Sequence, residues 1–249
     1  MELMQRKMPL KATFVFTHVH WDHIQGFPFF LPAFEEGNAF ELWGPPLARN
    51  IPVGTATLER ALRRQQNDLN FPVNLEDMSA RLAFADLPEC NFLELAGGPT
   101  SLRVTWERLN HPGGCYGYRV EEHREGEAPV VLAFCTDTEH YEEPSEAVQK
   151  LAKGASVLIH DAQYTPEEYL GTDGYDHMGW GHSTWEMAVR EAREAGVGQL
   201  YLTHHDPMRD DVHLAALEQA ADQAGRASGI QVRAASQFLE LDLPTRKMD

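Results

Sequence analysis

The segment Thr17-His18-Val19-His20-Trp21-Asp22-His23 places three imidazoles and a carboxylate between positions 18 and 23. It directly follows an apolar, β-branched run, ATFVFT (12–17), that reads as a buried strand ending at Thr17. If strand geometry persists past that point, His18 and His20 project to the same side, because alternate strand residues share a face. Asp22 and His23 lie just beyond, where a turning chain offers ligands to a second ion. Imidazole and carboxylate are the borderline-to-hard ligands that Zn²⁺, Fe and Mn²⁺ take. A surface loop has no comparable reason to gather three histidines against a strand, so this cluster points to a metal centre.

Other chemistry-bearing residues are more ambiguous one at a time. His111 lies in NHPGGCYGYR, where a proline and paired glycines form a tight turn, and a lone histidine in a turn is more often a solvent-facing group. Asp137, in FCTDTEHY, follows the strand-like VVLAF (130–134) and on its own is as well placed to cap a helix as to bind a metal. LTHHDP (202–207) supplies adjacent histidines after another strand. Neighbouring strand residues face opposite ways, so His204 and His205 are not equivalent candidates. Asp206 is placed to orient an imidazole through its second ring nitrogen. His182 precedes a helix in WGHSTWE, and Asp161 ends a strand in IHDAQY, a position that is often structural. His160 and His177 receive no role. Gly97-Gly98 is no phosphate loop, lacking the lysine and the following helix.

The pattern HxHxDH after a strand resembles the signature of the metallo-β-lactamase superfamily. The continuation WDHIQGFPFF is similar to the branch containing ribonuclease Z and the cyclic phosphodiesterase of phosphonate breakdown. The resemblance implies an α/β fold, the αββα sandwich, with metals at one edge between its sheets. It implies two divalent ions, zinc first and manganese or iron as alternatives, held by His18, His20, Asp22, His23, His111, Asp137 and His204. In that pattern His111 completes the first ion's ligands, Asp137 bridges both ions, and His204 serves the second. His182 becomes a catalytic group near the scissile phosphate, and Asp22 also steers the attacking water. The implied reaction is attack by a metal-bridging hydroxide on phosphorus or a carbonyl carbon.

The elements that must position these residues read as alternating strands and helices. AFELWG (39–44) is a second strand closed by Gly44-Pro45-Pro46, and GFPFFLP (26–32) is a packed loop or broken helix. Leu58, Ala61 and Leu62 form a helical stripe. The stretch from Phe71 to Leu93 carries little pattern, and Leu93 to Phe134 reads as a meander. SVLIH (156–160), QLYLTHH (199–205) and IQVRA (230–234) are further strands. The clearest helix begins at Ser183, where Ser183-Thr184-Trp185-Glu186 fits a capping box, and it ends at Gly196. A last helix covers 211–224, with Leu214, Leu217 and Ala221 inward. With no repeat or linker, residues 1–249 are expected to form a single hydrolase domain.

Family members carry further strands before HxHxDH, and here MELMQRKMPLK resembles the helix that follows them. The expectation is therefore an N-terminally incomplete domain, with Met1 an internal methionine of a longer protein. A sheet lacking its opening strands would expose an edge and an apolar face.

A net charge of −17, from 21 Lys+Arg against 38 Asp+Glu, disfavours long nucleic acid, whose binding rests on phosphate neutralisation. Only Arg60, Arg63 and Arg64 cluster, beside Glu59, as a solvated helix face. No apolar run approaches the roughly 20 residues of a membrane span, and no secretory signal is evident. Three widely spaced cysteines, Cys90, Cys115 and Cys135, argue for a reducing compartment and a cytoplasmic location. The leading expectation is a phosphodiesterase acting on small or cyclic phosphodiesters. The alternatives are ribonuclease Z-like tRNA 3′ processing, carbonyl (lactam or thioester) hydrolysis, and a non-catalytic metal-binding sensor. The resemblance also admits a homodimer.

Overall fold

The computed structural model describes residues 9–46, 56–88, 92–97, 100–172, 174–243 and 246–247. Most of MELMQRKMPLK (residues 1–8), Cys90 and Gly98 lie outside the described residues. The chain forms two compact units, Met1–Glu89 and Cys90–Asp249.

In the first unit, strands β1 (Lys11–Val15), β2 (Ala39–Gly44) and β3 (Arg81–Asp86) form a parallel sheet in that order. β1 stops at Val15, two residues before the expected Thr17. Phe16 still donates its N–H to Trp43 O at 2.9 Å, and regular pairing ends there. A single-turn helix, α1 (Trp21–Ile24), follows with His20 at its N-cap. The proline-interrupted GFPFFLP stretch forms 3-10 turns at Phe27–Phe29 and Leu31–Phe34, as a broken helix would. Helix α2 (Thr57–Gln65) buries Leu58 and Leu62 of its expected stripe. β3 lies within the weakly patterned 71–93 stretch. Its sequence, RLAFAD, alternates but carries small alanines, so periodicity alone does not mark it. Phe40, Leu42, Leu58 and Leu62, with Ile24 and Phe27, make this unit's core.

The second unit is built on a seven-stranded sheet. In chain order its strands are β4 (Phe92–Gly97), β5 (Thr100–Leu109), β6 (Cys115–Arg124), β8 (Val130–Cys135), β9 (Val157–Asp161), β10 (Gln199–Thr203) and β11 (Gln231–Ala234); the short β7 (Glu127–Ala128) pairs instead with β12 (Arg246–Lys247). The spatial order is β11-β10-β9-β8-β6-β5-β4. β4, β5, β6 and β8 pair antiparallel, which is the expected meander, and β8 to β11 run parallel. Parallel neighbours require helical crossovers. These are α3 (Glu146–Ala152), then α4 (Pro166–Leu170) with α5 (Trp185–Glu194), then α6 (Asp211–Arg226). Val131, Ala133 and Cys135 of β8, Leu158 of β9 and Leu200 and Leu202 of β10 alternate onto one face. There they meet Val148 and Leu151 of α3, Ala188 and Ala192 of α5, and Leu217 and Ala221 of α6.

Thr184, not Ser183, caps α5. Its hydroxyl accepts from Met187 N at 3.2 Å. The Ser183 hydroxyl instead donates to Thr138 O at 2.5 Å, so a tertiary bond takes the group that the local pattern assigns to the cap. Leu158 sits at the middle of the sheet, paired with Ala133 and Leu200 and fully buried. Leu158→Ala is expected to cost about 2–5 kcal/mol, measured by urea unfolding, because the surrounding strands cannot collapse into the space.

Candidate metal centre

In the first unit the HxHxDH segment gathers its own side chains. The His18 ring lies 4.5 Å from the His20 ring and 4.2 Å from the His23 ring between centroids. His18 is fully buried, with Thr17 Oγ1 at 3.1 Å from its Nδ1. His23 Nε2 stands 3.1 Å from Asp22 Oδ2. The clustering follows from a chain that leaves β1 and turns into α1 at His20, rather than from continued strand alternation.

In the second unit the candidates all lie at one edge of the sheet. β5 runs antiparallel to β6 and β6 to β8, so β5 ends at the same edge as the parallel strands β8, β9 and β10. His111, Asp137, Asp161 and His204 follow or end those strands, and open α/β sheets bind their ligands beyond such carboxyl ends. Asp137 and His204 take left-handed backbone conformations, with φ of 51° and 57°. Such angles cost roughly 1–3 kcal/mol each for residues other than glycine, and they cluster where a side chain must be aimed at a site.

The donor set converges on Asp137, which is 2% exposed. Its Oδ1 accepts from Thr136 Oγ1 at 2.8 Å. Its Oδ2 faces His204 Nε2 at 3.3 Å and His111 Nε2 at 3.8 Å. His111 Nδ1 is 2.9 Å from Gly181 O, an acceptor only, so Nδ1 carries a proton and Nε2 is the nitrogen whose lone pair can bind an ion. His204 Nδ1 is held by Gln163 Oε1 at 3.0 Å. A lone pair facing a carboxylate oxygen suits a cation. Two ligands on a tetrahedral zinc with bonds near 2.1 Å stand about 3.4 Å apart, which matches these separations. The residues present therefore fit a divalent ion, and each imidazole's second nitrogen is oriented by an oxygen, as ligating histidines require.

Asp161 and His182 make the adjoining pair. His182 Nδ1 donates to Asp161 Oδ2 at 2.8 Å. The His182 ring stacks on His204 at 4.6 Å and 15°, and meets His111 edge-on at 5.1 Å. Ligand atoms of His111, Asp137 and His182 lie within 4.8 Å of one another, as do those of Asp161, His182 and His204. Asp161 is fully buried and also accepts from the backbone N–H groups of Thr138, Gln163 and Ser183. Burial pushes the nearby Tyr164 hydroxyl up to about 12, with the Asp206 and Asp161 carboxylates adding to it, so the phenol keeps its proton. Burial pushes His205 down, leaving it a neutral neighbour of His204.

The sequence of this chain matches the beta-lactamase superfamily domain over residues 4–205. The chain belongs to the metallo-β-lactamase superfamily. A ribonuclease Z of Prochlorococcus marinus (strain MIT 9303) is 28% identical, the match spanning 81% of this chain and 71% of that protein. Among solved structures, a diphosphatase from the PhnP family superposes with a TM-score of 0.59 at 18% identity, covering 95% of this chain and 73% of that one. Human tRNase Z, short form, superposes at 0.56 and 18% identity, covering 93% and 79%. The metallo-β-lactamase fold expected from HxHxDH is therefore the fold found, and superfamily membership makes the chain a hydrolase that binds divalent metal. Among the described residues no helix is long and apolar enough to cross a membrane.

Sequence reasoning passed over several residues that shape this metallo-β-lactamase site. Glu139, two residues after Asp137, is 3% exposed and accepts from Tyr169 Oη and Gly179 N, both at 2.7 Å, and from Gly181 N at 2.9 Å. His140 and His160 form a buried pair, Nε2 to Nε2 at 2.9 Å. His160 Nδ1 lies 2.7 Å from Asp161 O, so His140 is the donor between the rings. Burial pushes both rings down, which keeps the pair neutral. Only the density of polar residues in TDTEHY hinted at these roles, because the partners lie far apart in sequence.

Gly181 holds a φ of +90°, and a Cβ there would collide with Pro112 Cδ and His111 Nδ1. Gly181→Ala is expected to turn His111 away and weaken zinc binding by about 10- to 100-fold in equilibrium dialysis, while leaving the far-UV circular dichroism spectrum intact.

Proposed function

We propose that this chain is a dinuclear metal-dependent phosphodiesterase acting on small or cyclic phosphodiesters, its two units working as one hydrolase domain. The ions would be held by His18, His20, Asp22, His23, His111, Asp137 and His204, with zinc the first expectation and manganese or iron the alternatives. Bound divalent ions would polarise the phosphoryl oxygens and acidify water. The observation that carries the reading is the Asp161–His182 pair at 2.8 Å, beside Asp137 with its facing imidazoles of His111 and His204. A phosphodiester has an alkoxide to expel, and a carboxylate-held imidazole is suited to give it a proton.

In this reading His182 donates from Nε2 to the leaving oxygen, with Asp161 fixing the ring through Nδ1. Asp22 orients the attacking water. The stacked His204 ring restricts His182 on one side and the edge-on His111 ring on another.

Substrate size rests on charge and on the chain between Asp161 and His182. The described residues of that span form one short helix, α4; its sequence holds no long basic arm, and the chain carries a net charge of −17. Both features favour a compact diester. The second reading is a ribonuclease, the activity in the names of relatives such as ribonuclease Z and tRNase Z. It shares the same residues and differs only in what lies beyond the scissile bond.

Hydrolysis of bis(p-nitrophenyl) phosphate by the metal-loaded protein, abolished by a chelator, is the expected outcome. His182→Ala should retain its metal and lose about 10²- to 10⁴-fold in turnover of a cyclic or alkyl phosphodiester, whose departing alkoxide needs a proton. Full activity in His182→Ala would remove its catalytic role. Turnover of a tRNA precursor in preference to cyclic and small diesters would favour the second reading.

A further inference from the structure

The segment from Gly174 to Gly181 contains neither helix nor strand, yet it exposes large side chains, with Tyr175 at 85% and Trp180 at 58%. Exposed aromatics scattered over a surface are ordinary. What is unusual here is how firmly the backbone around Trp180 is held. The peptide N–H groups on either side of it, at Gly179 and Gly181, donate to the two oxygens of the buried Glu139 carboxylate. Its own N–H donates to His177 O at 3.2 Å. Gly179 and Gly181 take φ of +84° and +90°, angles open to glycine at little cost. Burying a carboxylate costs several kcal/mol unless donors compensate it, and here the compensation fixes the backbone that carries the exposed indole.

The indole also stands at the outer end of a row of rings. Trp180 meets His177 at 5.0 Å and 70°, and His177 stacks on Tyr164 at 4.5 Å and 29°. Tyr164 meets His182 edge-on at 6.1 Å, and His182 stacks on His204. His177 is itself anchored, its Nδ1 donating to Glu168 O at 2.7 Å.

We propose that Trp180, clamped by Glu139, is a stacking platform for a planar ring carried by the phosphoester substrate. The inference rests on the phosphodiesterase reading for the position of the phosphate, and it adds what that phosphate is attached to. A rigid aromatic surface loses little entropy on binding and accepts any π-face. Trp180 is thus a specificity residue and Glu139 its positioning residue.

Isothermal titration of the metal-loaded protein with adenosine 5′-monophosphate, phenyl phosphate and methyl phosphate tests this without turnover. The protein should bind at least one of the ring-bearing monoesters more tightly than methyl phosphate. Preference for the nucleotide indicates a heterocyclic base, and preference for phenyl phosphate an aryl ester. Trp180→Ala should lower the ratio of ring-bearing to methyl affinity by about 5- to 150-fold, the range for stacking on one aromatic side chain, and Trp180→Phe should largely restore it. An unchanged ratio in Trp180→Ala, no ring preference in the parent protein, or Trp180→Phe as damaging as Trp180→Ala would overturn the proposal. A protein that stacks the nucleotide on Trp180 but hydrolyses no diester would sink the phosphodiesterase reading and keep this one.

Discussion

A carboxylate removed from water must be met by several donors, and Asp161 is the residue on which the second unit's active edge depends. Three backbone N–H groups and one imidazole converge on its two oxygens. The donors come from three places: the turn after β8, the turn after β9, and the entry to α5. Each loop could adopt many conformations alone, and the buried charge selects the one in which all its donors point inward. The same bonds bring Thr138, next to Asp137, toward Ser183, next to His182. The proposed bridging ligand and the proposed acid are therefore placed by one charge that itself holds no substrate.

Glu139 repeats the device a few residues along. It ties the glycine-rich stretch before His182 to the turn after β8, and Asn110 and Glu139 exchange bonds between N–H, side-chain amide and carbonyl groups. Gly181 O is thereby fixed for His111. The buried His140–His160 pair stays neutral, since a charged ring there would raise the cost of burial. The polar groups form a connected network whose members are each other's solvation, so disturbing one loop is felt by ligands on the others.

Much of this was legible in the sequence. HxHxDH marks its own chemistry because its ligands are close in sequence and abut an apolar strand. The strands carrying Asp137, Asp161 and His204 are short apolar runs that end on polar residues, and they appear where the sequence pattern expects them. What escaped was long-range or small-residue information. β3 is alanine-rich and lacks the bulky alternation that identifies strands. The local pattern favours Ser183 as the α5 cap, because Glu186 stands three residues on, and only the distant Thr138 carbonyl takes the Ser183 hydroxyl away and leaves the cap to Thr184. The left-handed backbone at Asp137 and His204 has no sequence mark, since neither is glycine. Glu139 and Gln163 gain their roles from partners dozens of residues away.

The central claim is that these imidazoles and carboxylates exist to hold divalent metal. The direct measurement is the metal content of the purified, zinc-equilibrated protein beside that of Asp137→Ala, by inductively coupled plasma mass spectrometry. Two ions per chain are expected in the parent and fewer in the variant, because Asp137 is the proposed shared ligand. A parent protein without bound metal, or an Asp137→Ala variant that keeps the full complement, would contradict it.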